Sequence, residues 1–276
     1  MRVIFCGVRG STCAPGIDFV RYGGHTSCVA LAHDGAAPSL VLDAGTGLRN
    51  LTRHLEGKPF RGTILLGHLH WDHTHGLPFF AAGDEPGSEV TVVMPAQGDP
   101  EQVLERVFSP PHFPVTPSQL RGKWRVTSQE PGDSQVEGFS VTAAEIPHKG
   151  GRTFGFRVTD GRGTLAYLSD HSPIAAGDGP YGLGAYHESA LALARDADVL
   201  IHDAQHTAAE FRGRHFLGHA AIEYGIGLAE AAGARTLVLF HHDPWRTDDQ
   251  IDDLVAAHAG GKVEVIGAAE GLTFDL

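Results

Sequence analysis

One hexapeptide, His68-Leu69-His70-Trp71-Asp72-His73, constrains this chain more than any other segment. Three imidazoles and a carboxylate follow directly on Thr63-Ile64-Leu65-Leu66, an apolar run that reads as a buried strand. Crowding four such groups at a strand end is costly to desolvate unless a cation shares them. Imidazole nitrogens and carboxylate oxygens are the donors that zinc and similar divalent ions take. The chain holds 18 histidines in 276 residues, so histidine content alone says little and the order and spacing carry the argument. The fold must therefore bring a strand end to a metal site.

Apolar runs with strand character recur at 2–6, 27–32, 39–43, 63–67, 89–94, 139–146, 154–159, 164–169, 199–203, 236–240, 263–266 and 272–275. Helical patterns are fewer, at 47–56, 100–107, 189–196, 220–232 and 248–258. Thr247 with Gln250 forms a capping-box signature for the last of these, and Gly233 is a stop signal for the one before. Four prolines between 109 and 120 exclude a regular helix there, leaving a surface loop or a lid that carries Phe113. A second irregular, glycine-rich stretch runs from 177 to 186.

A chain of 276 residues buries roughly three quarters of its unfolded surface if it forms one domain. No linker, charge block or low-complexity tract divides it, so a single domain over 1–276 is expected. The opening apolar run is too short for a signal peptide and no run reaches the length of a membrane span. Cys6, Cys13 and Cys28 are odd in number and lack a zinc-knuckle spacing. They read as reduced thiols of a cytoplasmic protein, with no membrane partner. A net charge of −12 argues against gripping long nucleic acids by counterion release.

The hexapeptide resembles the His-x-His-x-Asp-His signature of the metallo-β-lactamase superfamily. The similarity extends along nearly the whole chain. His148, Asp170 and His241 each close an apolar run, in the order that superfamily presents its remaining ligands. The resemblance implies an α/β (α+β) fold, a four-layer αββα sandwich of two similar halves, with a seam expected near 146–152. It implies that His68, His70 and His148 hold one metal, that Asp72, His73 and His241 hold a second, and that Asp170 bridges them. The cofactors are then two divalent ions, zinc first, with manganese or iron also compatible with the donor set. Of the adjacent pair His241 and His242, the first is the expected ligand, and His171 is a structural neighbour of Asp170.

Leu42-Asp43-Ala44-Gly45-Thr46-Gly47 resembles the superfamily's first motif, in which the aspartate orients a ligand histidine and the glycines let backbone approach the metals. Gly7-Val8-Arg9-Gly10-Ser11 with Tyr22-Gly23-Gly24-His25-Thr26-Ser27-Cys28 looks like the branch containing tRNA 3′-processing endonucleases and small phosphodiesterases. His202-Asp203-Ala204-Gln205 and Gly218-His219-Ala220 resemble that branch's later pattern. Asp72, His219 and Asp203 are thus the expected catalytic groups, with His219 as general acid, or else a residue opening the 220–232 helix.

The implied function is hydrolysis of a small nucleotide, cyclic nucleotide or related phosphodiester through a metal-bridging hydroxide. Two cations, two carboxylates and that hydroxide leave about +1 at the site, which suits a small anionic substrate in an acidic protein. Carboxyl-ester, thioester or lactone hydrolysis on the same metals is the alternative. A homodimer is a further implication of the branch.

Overall fold

The computed structural model describes residues 1–173, 179 and 182–276. Its strands are β1 (Arg2–Gly7), β2 (Cys28–Ala32), β3 (Leu40–Leu42), β4 (Arg61–Leu65), β5 (Glu89–Pro95), β6 (Lys123–Gln129) and β7 (Gly132–Val136). They continue with β8 (Phe139–Glu145), β9 (Phe154–Thr159), β10 (Thr164–Leu168), β11 (Val199–Asp203), β12 (Thr236–Phe240), β13 (Glu264–Gly267) and β14 (Thr273–Asp275). The helices are α1 (Leu48–Leu51), α2 (Trp71–Thr74), α3 (Pro100–Glu105), α4 (Glu188–Ala194), α5 (Ala208–Arg214), α6 (Ile222–Ala232) and α7 (Asp248–Ala257).

The strands form two seven-stranded sheets, ordered β14-β1-β2-β3-β4-β5-β6 and β13-β12-β11-β10-β9-β8-β7. In the first, β14 to β3 pair antiparallel and β3 to β6 pair parallel. In the second, β7 to β10 pair antiparallel and β10 to β13 pair parallel. The two halves are therefore built alike.

Alternation along the strands sorts side chains into layers. On β1, Val3 and Phe5 face the second sheet, where they join Phe156, Tyr167, Ile201 and Phe240 in one buried cluster. Ile4 and Cys6 on the same strand face outward, against Leu48, Leu51 and Leu104 of the first helical layer. Ala166, Leu168, Leu200 and Leu237 of the second sheet meet Leu193, Leu228 and Ala229 of the opposite helices. This is the expected four-layer αββα sandwich.

Several expectations need correction. The chain passes between sheets at residues 130–131, between β6 and β7, and not near 146–152. It also returns at its end, since β14 pairs with β1. Strands β6 and β7 are additional to the sequence reading, as are α2 and α5. The segment 109–120 carries a single 3-10 turn at Pro117–Gln119. Phe113 stands edge-on to both Phe79 and Phe108, which fastens this segment to the outer face of the first sheet. Of the stretch 177–186, residues 177, 178, 180 and 181 lie outside the described residues. No helix among the described residues is long and apolar enough to cross a membrane.

Candidate metal centre

Every residue of the centre lies at or just beyond the carboxyl end of a strand. Asp43 follows β3, His68 to His73 follow β4, Asp170 follows β10, Asp203 ends β11 and His241 follows β12. His148 comes three residues after β8. The parallel portions of both sheets point their carboxyl ends to one edge, which is where open α/β sheets collect ligands. The hexapeptide turns there into α2, a single helical turn that carries Asp72 and His73.

The expected ligands gather in two overlapping groups, and Asp203, His219 and His241 form a third beside them. Donor atoms of His68, His70, His148 and Asp170 lie within 4.8 Å of one another, as do those of Asp72, His73, Asp170 and His241. Asp170 divides its carboxylate between them. Its Oδ2 faces His68 Nε2 at 3.4 Å and His148 Nε2 at 3.6 Å. Its Oδ1 faces His73 Nε2 at 3.1 Å and His241 Nε2 at 3.2 Å. Asp72 Oδ2 completes the second group, 3.0 Å from His241 Nε2 and 3.3 Å from His73 Nε2.

A shell of hydrogen bonds orients these rings. His73 Nδ1 donates to Asp43 Oδ2 at 2.7 Å, and the Tyr167 hydroxyl donates to the same oxygen at 2.7 Å. Asp43 Oδ1 accepts the Gly67 amide at 2.7 Å. His148 Nδ1 donates to the Gly218 carbonyl at 2.6 Å. The Ser11 amide donates to Asp72 Oδ2 at 2.6 Å. Such partners set the tautomer and leave Nε2 with its lone pair directed inward.

That inward lone pair is the test of whether a cation fits. With Nδ1 of His73 donating to Asp43, its Nε2 faces two carboxylate oxygens and finds no hydrogen-bond partner. His68 Nε2 and Asp170 Oδ2 are likewise buried without one. Acceptors turned on acceptors in a buried place repel, and divalent cations in their midst remove the repulsion. Burial holds His68, His70 and His148 below the usual imidazole range, keeping them neutral as ligands must be. For His241, burial acts downward, but Asp170, with the bond to Asp72, pushes it up to about 9. These carboxylates thus call for positive charge at that point. The donor set fits two divalent cations.

His241 and His242 diverge sharply. His241 takes a left-handed backbone, φ 58°, and turns its ring into the centre. His242 points away and donates from Nε2 to the Ala268 carbonyl at 2.9 Å. Gly10 lies so close that a Cβ there would stand 2.3 Å from His241 Nδ1. A Cβ on Gly45 would meet the Asp72 carbonyl at 2.1 Å, so the 42–47 turn packs directly against the backbone of the turn that carries Asp72. His171 is buried behind Asp170, donating from Nδ1 to His202 Nε2 at 2.9 Å. Cys6 and Cys28 are buried and Cys13 is exposed, and none belongs to a metal-holding group among the described residues.

Beside the second group, His219 Nδ1 donates to Asp203 Oδ2 at 2.8 Å. Asp203 Oδ1 accepts the amides of Gln205 (3.1 Å) and Ala220 (3.0 Å), so the carboxylate is rigidly held. The same Oδ2 lies farther from His241 Nδ1, at 3.6 Å, which makes His219 its principal partner. His219 precedes α6, whose N-cap is Ala221, and therefore does not open that helix. Its ring stacks on His241, with centroids 4.9 Å apart. A cleft of about 350 Å³ runs between His219, His70, Trp71, Asp72, Asp170 and Ser11. Ser11, Tyr167 and Trp71 have places here that residue type alone did not assign. Ser11 acts through its backbone amide, and the Tyr167 hydroxyl reaches Asp43 across the sandwich from β10 of the second sheet, a pairing that no local pattern in the sequence links.

Comparison with known proteins agrees with this architecture. The Beta-lactamase superfamily domain matches residues 39–242. Ribonuclease Z of Geobacillus kaustophilus (strain HTA426) is 28% identical over 246 residues, covering 73% of this chain and 76% of that protein. The metallo-beta-lactamase fold protein YhfI from Bacillus subtilis superposes with a TM-score of 0.74 at 20% identity, over 99% of each chain. A diphosphatase from the PhnP family superposes with a TM-score of 0.73 at 17% identity, over 100% of this chain and 97% of that one.

Proposed function

Because the chain belongs to the beta-lactamase superfamily, as a metal-dependent hydrolase of that fold, we propose that it is a dinuclear phosphodiesterase acting on small nucleotides. The observation that carries this reading is the Asp170 carboxylate, whose two oxygens serve two separate donor groups. Similarity to Ribonuclease Z favours a phosphodiester over a carboxyl ester. The His219–Asp203 pair at the edge of the cleft is placed to supply the proton that a departing alkoxide needs.

His68, His70, His148 and Oδ2 of Asp170 would hold one cation, and Asp72, His73, His241 and Oδ1 of Asp170 the other. When bound, divalent cations supply a water acidic enough to ionise near neutral pH and draw charge from the phosphoryl oxygens. The chain's own groups do the rest. Asp43 and Tyr167 keep the His73 ring fixed, and the Ser11 amide keeps Asp72 turned to the centre. Asp203 holds the Nδ1 proton of His219, which leaves Nε2 to pass its proton to the departing oxygen. The fixed carboxylate stabilises the ring while it is charged.

The test is turnover of bis(p-nitrophenyl) phosphate by chelator-stripped protein refilled separately with zinc and with manganese. Metal-restored release of p-nitrophenol is the expected result. Absence of turnover with either ion, in protein shown to hold two per chain, would overturn the reading in favour of esters, thioesters or lactones. Precursor tRNA assayed alongside tells a small-substrate enzyme from one acting on RNA.

A further inference from the structure

A second cavity, of about 710 Å³, opens on the far side of the short helix that walls the cleft, lined among others by Arg49, Arg53, His75, Phe79, Cys13 and Asn50. Arg49 lies on α1 and Arg53 on the 3-10 turn that continues it (Thr52–Leu55), four positions apart. Four-residue spacing on a helical stretch places both guanidiniums on one face, where like charges oppose each other. Both are exposed, and neither has a hydrogen bond or ion pair among the described residues. In a chain of net charge −12, this pair is a local concentration of positive charge, and Glu270 behind the cavity wall is taken up by His25 and Asn50. Two planar forks side by side are suited to a phosphate.

Flat apolar surface accompanies the charge. Phe79 is 63% exposed, and Phe113 braces it edge-on with centroids 5.5 Å apart. His75 stacks on Trp71 with ring centroids 5.6 Å apart and planes 14° from parallel. Trp71 lines the catalytic cleft while His75 lines the second cavity, so this pair of rings joins the two spaces. Exposed aromatic faces beside cationic groups are the means by which proteins take single-stranded nucleotides, because every base has a face to stack.

We propose that this cavity is a substrate subsite in which Arg49 and Arg53 hold a second phosphate while Phe79 stacks the adjoining nucleobase. The preferred substrate is then a linear nucleotide chain with a phosphate beyond the scissile diester, and not a lone cyclic nucleotide. The proposal rests on the phosphodiesterase reading and narrows its substrate class.

Steady-state hydrolysis of the dinucleotide ApA and of its 5′- and 3′-phosphorylated forms by metal-loaded protein tests it. One phosphorylated form is expected to show a KM lower than that of ApA by about tenfold or more. R49A/R53A should raise the KM for that form by about tenfold more than it does for ApA, with R49K/R53K recovering part of the loss. Equal KM values for all three dinucleotides, or an equal loss on each in the variant, would overturn the proposal. Failure of the broader reading would appear separately, as no turnover of bis(p-nitrophenyl) phosphate. Calorimetric titration of chelator-stripped protein with adenosine 3′,5′-bisphosphate reads the cavity even then. Weaker binding by R49A/R53A is expected, and identical binding would count against the subsite.

Discussion

The left-handed torsion at His241 illustrates how much at this centre is decided residue by residue. A non-glycine residue there carries local strain, which persists because the ring is buried against Asp72, Asp170 and His219. Gly10 makes room for it. Gly10→Ala should push the ring aside, because the added Cβ would lie 2.3 Å from Nδ1. Metal content measured by elemental analysis should fall toward one ion per chain. Two retained ions would show that His241 is not a ligand. Asp203→Asn tests a different group. The amide replaces an acceptor with a donor at Oδ2, so His219 loses the carboxylate that stabilises its charged form. Turnover should drop by about 10–100-fold with metal content retained, most steeply for poor leaving groups. An equal drop for p-nitrophenolate and for alkoxide leaving groups would remove His219 as the acid.

Among the elements, the Gly7-to-Ser11 turn after β1 does more than its motif implied. Arg9 is fully buried, donating to the carbonyls of Gly23 (2.8 Å) and Arg246 (2.7 Å) and to Asp248 Oδ1 at 3.2 Å. It ties the loop that carries Ser11 to the segment between His241 and α7. Arg9→Met would leave Asp248 and two carbonyls buried without that partner. A loss of about 3–5 kcal/mol in urea unfolding is expected. A loss within experimental error would mean that water or a shifted side chain replaces the guanidinium. Nearby, the Tyr22 hydroxyl donates to Asp252 Oδ1 at 2.8 Å. Burial, with that bond and the Asp252 charge, pushes the phenol up to about 12. A pKa raised above its unfolded value of about 10 means the folded state holds the proton longer. This contribution is whole below about pH 10 and is lost as pH rises toward about 12. Tyr22→Phe should therefore flatten the decline in stability between those limits, and parallel wild-type and variant curves would refute the assignment.

Most strands were legible because a buried strand must be apolar, and the runs at 154–159, 199–203 and 236–240 coincide with β9, β11 and β12. The two missed strands are both sheet edges. Lys123-Trp124-Arg125-Val126-Thr127-Ser128-Gln129 and Gly132-Asp133-Ser134-Gln135-Val136 are polar, as edges exposed to solvent tend to be, and so lack that signal. The capping box of α7 was equally visible, since Thr247 and Gln250 satisfy each other's backbone within four residues. Helix α2 escaped notice because a single turn is too short to show a period.

Across the whole molecule, the two sheets share one buried layer, in which Val3, Phe5 and Leu42 of one interleave with Phe156, Tyr167 and Phe240 of the other. We propose on that basis that the halves form a single domain. Chelator-stripped protein should then unfold in one calorimetric transition whose van't Hoff and calorimetric enthalpies agree. Two resolved transitions would mark the halves as separate units.

What the sequence determined by itself was the chemistry of the centre. Donor-rich strand ends are improbable unless something binds there, so His68, His70, Asp72 and His73 stand out by spacing, while His148, Asp170 and His241 are what the family resemblance implies. Tertiary structure alone decided how they divide. Which oxygen of Asp170 serves which group, which of two adjacent histidines turns inward, and whether Asp203 meets His219 all depend on torsions and strand registers. The cavity beside Arg49 and Phe79 is of the same kind, because it joins residues from separate turns that no local pattern links. Composition and period report what a segment must bury or bind. Distances between segments remote in the chain arise only when the sheets pack.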